Sequence, residues 1–172
     1  MNERDQVTQN AQTRLVEIFT RKPASAFSKI KGLASIREGV ACTYVQGEHT
    51  VIADMSDIFG GDDTGPSPGF YARAGIASCV AISIKLAATQ AGLTFRAVDV
   101  EISVSFDGRG IFYLDEIGAG PQDMSVNITI ETDAPKGAVE KLVARAMDAS
   151  PIYLLARDGN AIATSVSIAP RA

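Results

Sequence analysis

Apolar positions along the chain switch between a helical and a strand period, and the switches predict the order of its elements. Val7, Ala11, Leu15 and Ile18 recur at spacings of four, four and three, which places them on one face of a helix over residues 5–21. Pro23 discourages its continuation. Between Leu33 and Met55 the runs VACTYV and TVIADM are short and β-prone. Gln46-Gly47-Glu48-His49 lies between them, which predicts a hairpin. A shorter strand is expected before it at residues 34–37, with Glu38-Gly39 as the turn.

GGDDTGPSPG, residues 60–69, is the strongest punctuation in the chain and leads into a second helix. Ser67 suits the N-cap, Pro68 the first helical position, and Gly92 a stop after about Ala91. This helix is apolar nearly all round, so burial on most sides is expected. Val98, Val100, Ile102, Val104 and Phe106 then alternate strictly, and Asp107-Gly108-Arg109-Gly110 turns the chain. Met124, Val126, Ile128 and Ile130 alternate again. Thr132, Asp133 and Pro135 open a helix with Val139, Leu142, Val143, Ala146 and Met147 on one face, which Pro151 interrupts. The segment IYLLARDG reads as a short helix ending at Gly159, and Ile162, Thr164, Val166 and Ile168 as a closing strand.

Strands and helices are segregated rather than regularly alternating, which predicts an α+β class with antiparallel sheets around the long central helix. The two apolar helices and two one-sided strand sets exceed what so small a protomer covers by itself, which predicts a homodimer. No repeat or linker divides the 172 residues, and that length suits one globular domain.

Composition narrows the function classes. A hydrophobic share of 46% and a charged share of 21% are ordinary for a globular chain. The net charge of −4 and the absence of a basic stripe argue against nucleic acid as a partner. The most apolar window, residues 70–88, is interrupted by Arg73 and Lys85, so no membrane span is expected. The polar N-terminus lacks the pattern of a signal peptide, and Cys42 and Cys79 are too few for a secreted disulfide framework. Cytoplasmic location is the expectation.

Little catalytic material is present. His49, the single histidine, falls on the hairpin turn with no cysteine or carboxylate at ligand spacing, so neither a metal nor another cofactor is expected. Ser67, Ser78 and Ser150 lack a base to activate them. The Gly-rich stretch matches neither a P-loop nor a dinucleotide fingerprint. Cys79, central in the long helix, is either a small hydrophobe at a helix contact or a reactive thiol held as thiolate by a nearby cation. Arg73 lies six positions back, rotated about 120° from it on a helix of 3.6 residues per turn.

GGDDTGPSPG followed by FYARAGIASCVAISIKLAATQAGL resembles the signature of the OsmC/Ohr family, the osmotically inducible and organic-hydroperoxide-resistance proteins. VDVEISVSF is similar to the strand that follows in that family, and ASPIYLLARDGNAIATSVSI occupies the place of its second cysteine motif. The resemblance covers residues 33–168 and divides the chain into an N-terminal helical extension, 1–32, and an OsmC-like domain, 33–172. It implies an intertwined homodimer with two interfacial active sites that reduce organic hydroperoxides. In that scheme one cysteine becomes a sulfenic acid, a second closes a disulfide, and a dithiol restores the enzyme. Cys79 matches the attacking cysteine, and Arg37 of IREG is the best match for the family's arginine from the early strands.

Two positions depart from the pattern. Ser150, before Pro151, replaces the second cysteine, and Gly69 stands where a glutamate orients the arginine. Cys42 takes the resolving role only if its Cα comes within about 7 Å of that of Cys79. Two functions follow as expectations. One is a one-cysteine peroxidase, with a hydroperoxide substrate and an external thiol reductant. The other is a non-catalytic scaffold that binds an apolar small molecule in the interface pocket.

Overall fold

A buried ladder of small and branched side chains, Ile76, Val80, Ile84 and Ala88, recurs every fourth residue along helix α2 (Pro68–Gln90) and forms the spine of the core. The computed structural model describes residues 1–168, so the last four residues of the expected 33–172 domain lie outside the described residues. Helix α2 starts as expected, with Ser67 at the N-cap and Pro68 at the first position, and Gly92 follows it at φ +68°.

Against the spine packs a two-stranded antiparallel sheet, β4 (Ala97–Ser105) and β5 (Asp123–Glu131), with Val98 opposite Ile130 and Val100 opposite Ile128. These four apolar side chains face the core, while Asp99, Glu101 and Ser103 are exposed, as a period of two requires. Helix α3 (Lys136–Met147) adds Val139, Leu142, Val143, Ala146 and Met147 to the same core. Helix α4 (Pro151–Asp158) packs on α2 and contributes Tyr153. Phe95, almost fully buried after α2, closes the end of the core.

The early strands form a separate antiparallel sheet in the order β1 (Leu33–Ile36), β2 (Cys42–Gln46) and β3 (His49–Ala53). The predicted hairpin is present, with a two-residue turn at Gly47-Glu48. Only Gly47, at φ +59°, takes the left-handed conformation there, as a type II′ turn requires of its first central residue. This sheet packs on no helix of its own protomer over any length, and most of its side chains are exposed on both faces. Its ties to α2 include the Tyr71 hydroxyl, which donates to the Ile52 carbonyl at 2.8 Å, and the loop anchored by Asp54.

Helix α1 (Glu3–Arg21) forms, capped by the Asn2 side chain, but with the opposite orientation to the one its pattern suggests. Its polar side chains dock on α2. Gln9 donates to the Thr89 carbonyl at 2.8 Å, Gln12 donates to that of Leu86 at 3.2 Å, and Asp5 pairs with Lys85 at 3.0 Å. Val7, Leu15 and Ile18, the expected inward stripe, are exposed.

Three further expectations need correction. The closing strand is absent: residues 159–168 have no regular structure, because no neighbouring strand offers them a ladder in this protomer. Helix α2 is not buried on most sides, since Phe70, Ser78 and Ile82 line an open face opposite the spine. Finally, the turn after β4 is a long connection that includes a 3₁₀ segment, Gly108–Phe112. Its cap is Asp107, which accepts from the Arg109 N–H and guanidinium.

Accessible surface quantifies this openness. The chain exposes 13068 Å², whereas a folded monomer of its mass is expected to expose about 8,000 Å². By length and composition α2 is also apolar enough to cross a membrane, but its inner face is the core of this domain.

Candidate thiol site

Cys79 lies near the middle of α2, half-buried, on a face turned toward the start of α4. One turn earlier, Gly75 faces Ile152 at the start of α4, where an added Cβ would make only ordinary van der Waals contact with Ile152 Cγ2 at 3.9 Å. The first turn of α4 lies beside the sulfur. Ser150 is the N-cap of α4 and is fully buried, yet its hydroxyl makes no capping bond to the helix. It donates instead to Cys79 Sγ at 3.2 Å. The Ile152 and Tyr153 N–H groups, the ones a conventional N-cap side chain would take up, and the Ser83 hydroxyl also act on the sulfur and favour its anionic form. Cys79 thus stands at the N-terminal end of a helix from another part of the chain, bonded to that helix's N-cap residue.

Electrostatics follow from that geometry. Partial burial is the largest influence on the thiol and pushes its pKa up. The bonds from Ser150, Ile152, Tyr153 and Ser83 together outweigh it, so the thiol lies below the ordinary thiol range. Such bonds strengthen when the sulfur carries negative charge, and the positive end of the α4 dipole acts in the same direction. Of the described residues, no cation is among the groups that shift it. The arrangement can hold a thiolate, or a sulfenate formed from it, without a charged partner in this protomer.

The expected site residues are only partly brought together. Cys79 and Ser150 meet. Arg37 is exposed just after β1 and takes part in no hydrogen bond or ion pair among the described residues. Gly69 sits under the guanidinium of Arg73, whose Nη1 would be 3.0 Å from a Cβ at that position. Arg73 thus folds back over the first turn of α2, away from the thiol. Cys42 begins β2, opposite Ile36 and Ala53, and both cysteines are free. Ser83 and the α4 amides were not singled out from the sequence. Two signals point to them: Ser83 is four residues after Cys79, hence on its face, and Ser150-Pro151 marks a helix start. Among the described residues, no group of three His, Cys, Asp or Glu side chains is placed to hold a metal.

The site is thus a half-buried cysteine at the N-terminal end of a neighbouring helix in an α+β domain. The chain belongs to the OsmC-like protein family, whose model matches residues 60–165, from the Gly/Asp loop to beyond α4. Solved structures share the fold at low identity. An OsmC-like protein from Mycoplasma pneumoniae superposes with a TM-score of 0.64 at 13% identity, over 76% of this chain and 88% of its own. An organic hydroperoxide resistance protein from Legionella pneumophila gives 0.52 at 18%, over 77% and 92%. One from Elizabethkingia anophelis, with thiocyanate bound, gives 0.51 at 14%, over 76% and 89%. No curated protein matches the chain.

Proposed function

We propose that this protein is a one-cysteine, thiol-dependent organic hydroperoxide reductase that works as a soluble cytoplasmic homodimer. The observation that carries the reading is the bond from Ser150 to Cys79 Sγ at 3.2 Å, beside the amides of α4. The family's hydroperoxide-resistance members supply the substrate class.

In the proposed reaction the Cys79 thiolate attacks the distal oxygen of ROOH. A sulfur–oxygen bond forms, the O–O bond breaks, and the leaving alkoxide takes a proton to become ROH. Cys79 is then a sulfenic acid, held by the same donors that held the thiolate. Ser150 cannot close a disulfide. An external thiol therefore attacks the sulfenic sulfur, releases water and leaves a mixed disulfide. A second external thiol attacks that disulfide, frees Cys79 and departs as the oxidised reductant. Arg37, exposed in the protomer, joins the site only from a second copy, and we assign it the support of the thiolate there. The domain, 33–172, carries this chemistry and the 1–32 extension does not.

Peroxide consumption with an organic hydroperoxide and a dithiol tests the reading. Turnover in the wild type at least tenfold above that of Cys79→Ala is expected, and equal rates sink it. A second reading, a non-catalytic scaffold binding an apolar small molecule, is favoured by Gly69 in place of the glutamate and by the lack, among the described residues, of a cation beside Cys79. It requires Cys79 to be alkylated no faster than a free model thiol at pH 7.

A further inference from the structure

Helix α1 presents an apolar stripe that its own protomer does not cover. On a helix of 3.6 residues per turn, the docked positions Asp5, Gln9 and Gln12 centre about 130° from the stripe of Val7, Ala11, Leu15 and Ile18. The orientation is fixed by the docked side. Asp5 is only 4% exposed and pairs with Lys85, which also donates to the Phe95 carbonyl at 2.6 Å. Gln12 accepts from the Thr89 hydroxyl at 2.8 Å and donates to the Leu86 carbonyl. Rolling α1 to bury its stripe would break these bonds and leave Asp5 unpaired. The stripe consequently faces out, with Val7 55%, Leu15 48% and Ile18 41% exposed.

The occupant follows from what adjoins the stripe. Helix α1 lies over the C-terminal half of α2, whose outward Ile82 and Leu86 are also open. The chain after it continues the apolar surface through Phe27, Ile30 and Leu33 into β1. The protomer's surface excess is of order 5,000 Å², beyond a standard interface of about 1,600 Å² and in the range of obligate homodimers. Charges of both signs, Glu3 and Arg14, border the stripe, which suits a protein surface better than an anionic membrane.

We infer that the outward stripe of α1 is seated on a second copy of this chain, making the N-terminal extension part of the subunit interface. The inference rests on the homodimer reading above and adds a segment outside the family match. Two-fold symmetry then buries both stripes by the same contact.

The test uses the full chain: sedimentation and light scattering of the wild type and of Leu15→Glu combined with Ile18→Glu. Both positions are exposed in the protomer, so far-UV circular dichroism should not change. A dimer dissociation constant raised at least tenfold is expected. The pair Leu15→Ala with Ile18→Ala, which preserves helix propensity, should weaken the dimer in the same direction. A wild-type dimer with an unchanged constant in both variants overturns the inference and leaves the homodimer standing. A monomeric wild type at all concentrations overturns both. Vesicles of phosphatidylglycerol that bind the wild type but not the variants, with dimerisation unaffected, assign the stripe to a lipid surface and likewise overturn it.

Discussion

The two sides of α2 differ in what they find within the protomer. The inner side, Ile76 to Ala88, meets β4, β5 and α3 and is sealed. The outer side, with Phe70 and Ile82, is left largely open apart from α1 over its C-terminal half, and the sheet β1–β2–β3, the α1 stripe and residues 159–168 share its exposure. The same helix therefore serves as a core and as an open face. Length and apolarity decide that a segment will be covered, but only the neighbours decide by which chain.

The sharpest way to break this contrast compares two isoleucines two residues apart. Ile84 is fully buried and Ile82 is 58% exposed. Ile84→Ala should destabilise by about 2–5 kcal/mol in urea unfolding at any protein concentration, from lost transfer energy plus the cavity left. Ile82→Ala should cost under about 0.5 kcal/mol when dilute, because little protomer surface covers it. A cost at Ile82 that grows with protein concentration makes the outer side an interface. Equal costs at every concentration would erase the distinction.

Asp54 joins the two regions, and its loss ranks next. It is 2% exposed at the end of β3, and its carboxylate accepts from the Met55, Asp62 and Thr64 N–H groups and the Thr64 hydroxyl. The Thr64 N–H and then its hydroxyl are the largest causes holding the acid below its usual 3.8. A depressed carboxylate contributes stability that is complete above its unfolded pKa and lost as pH falls through the folded one. Asp54→Ala should therefore lower the melting temperature at pH 7 by roughly 5 °C or more, with the difference shrinking below about pH 3.8. Proteolysis at residues 60–66 should rise while the β4–β5 core stays protected. A uniform loss of protection across both regions would show that Asp54 does not act as a local joint.

The thiol lies on the α4-facing side of α2, so within one protomer its chemistry should respond to α4 and not to the open sheet. Ser150→Ala removes one donor to the sulfur. The thiol pKa rises, and alkylation at pH 7 slows by roughly three- to tenfold, as expected for one hydrogen bond to a charged group. The plateau rate at high pH should not fall, because the thiolate fraction is complete there and a more basic thiolate is at least as nucleophilic. Ser150→Cys should restore an internal disulfide after hydroperoxide, seen by intact mass as the loss of two hydrogens. A pH profile of alkylation unmoved by Ser150→Ala would refute the capping geometry.

Much of this was legible in the sequence, for identifiable reasons. The elements with an intramolecular partner were placed closely: β4 and β5 by strict alternation, α2 by Ser67-Pro68 and Gly92, and the hairpin by Gly47. What failed is what depends on a neighbour that local pattern does not reveal. Residues 162–168 alternate like a strand but have none beside them. The α1 stripe reads as core because polarity patterns do not tell that Gln9 and Gln12 will bond to the carbonyls of α2. At the site, Cys79 and Ser150 were singled out by the resemblance of their motifs to the OsmC/Ohr family. The α4 amides were not, since backbone donors leave no trace in residue identity.

The smallest expected effect tests whether the open sheet is an independent unit. Gly47 has nothing within 4 Å of a hypothetical Cβ, so Gly47→Ala meets no steric obstacle, and its only cost is φ +59°. That cost is about 1 kcal/mol for an L-residue held in the left-handed region. Because β1–β2–β3 touches the core elements so little, the loss should stay local. Amide exchange should accelerate about fivefold across β2 and β3 and remain unchanged in α2, β4 and β5, as separate cooperative units behave. Acceleration spread evenly over all strands would mean that the two regions open together. The open sheet would then be held by the core, or by a second chain, more firmly than its contacts in one protomer indicate.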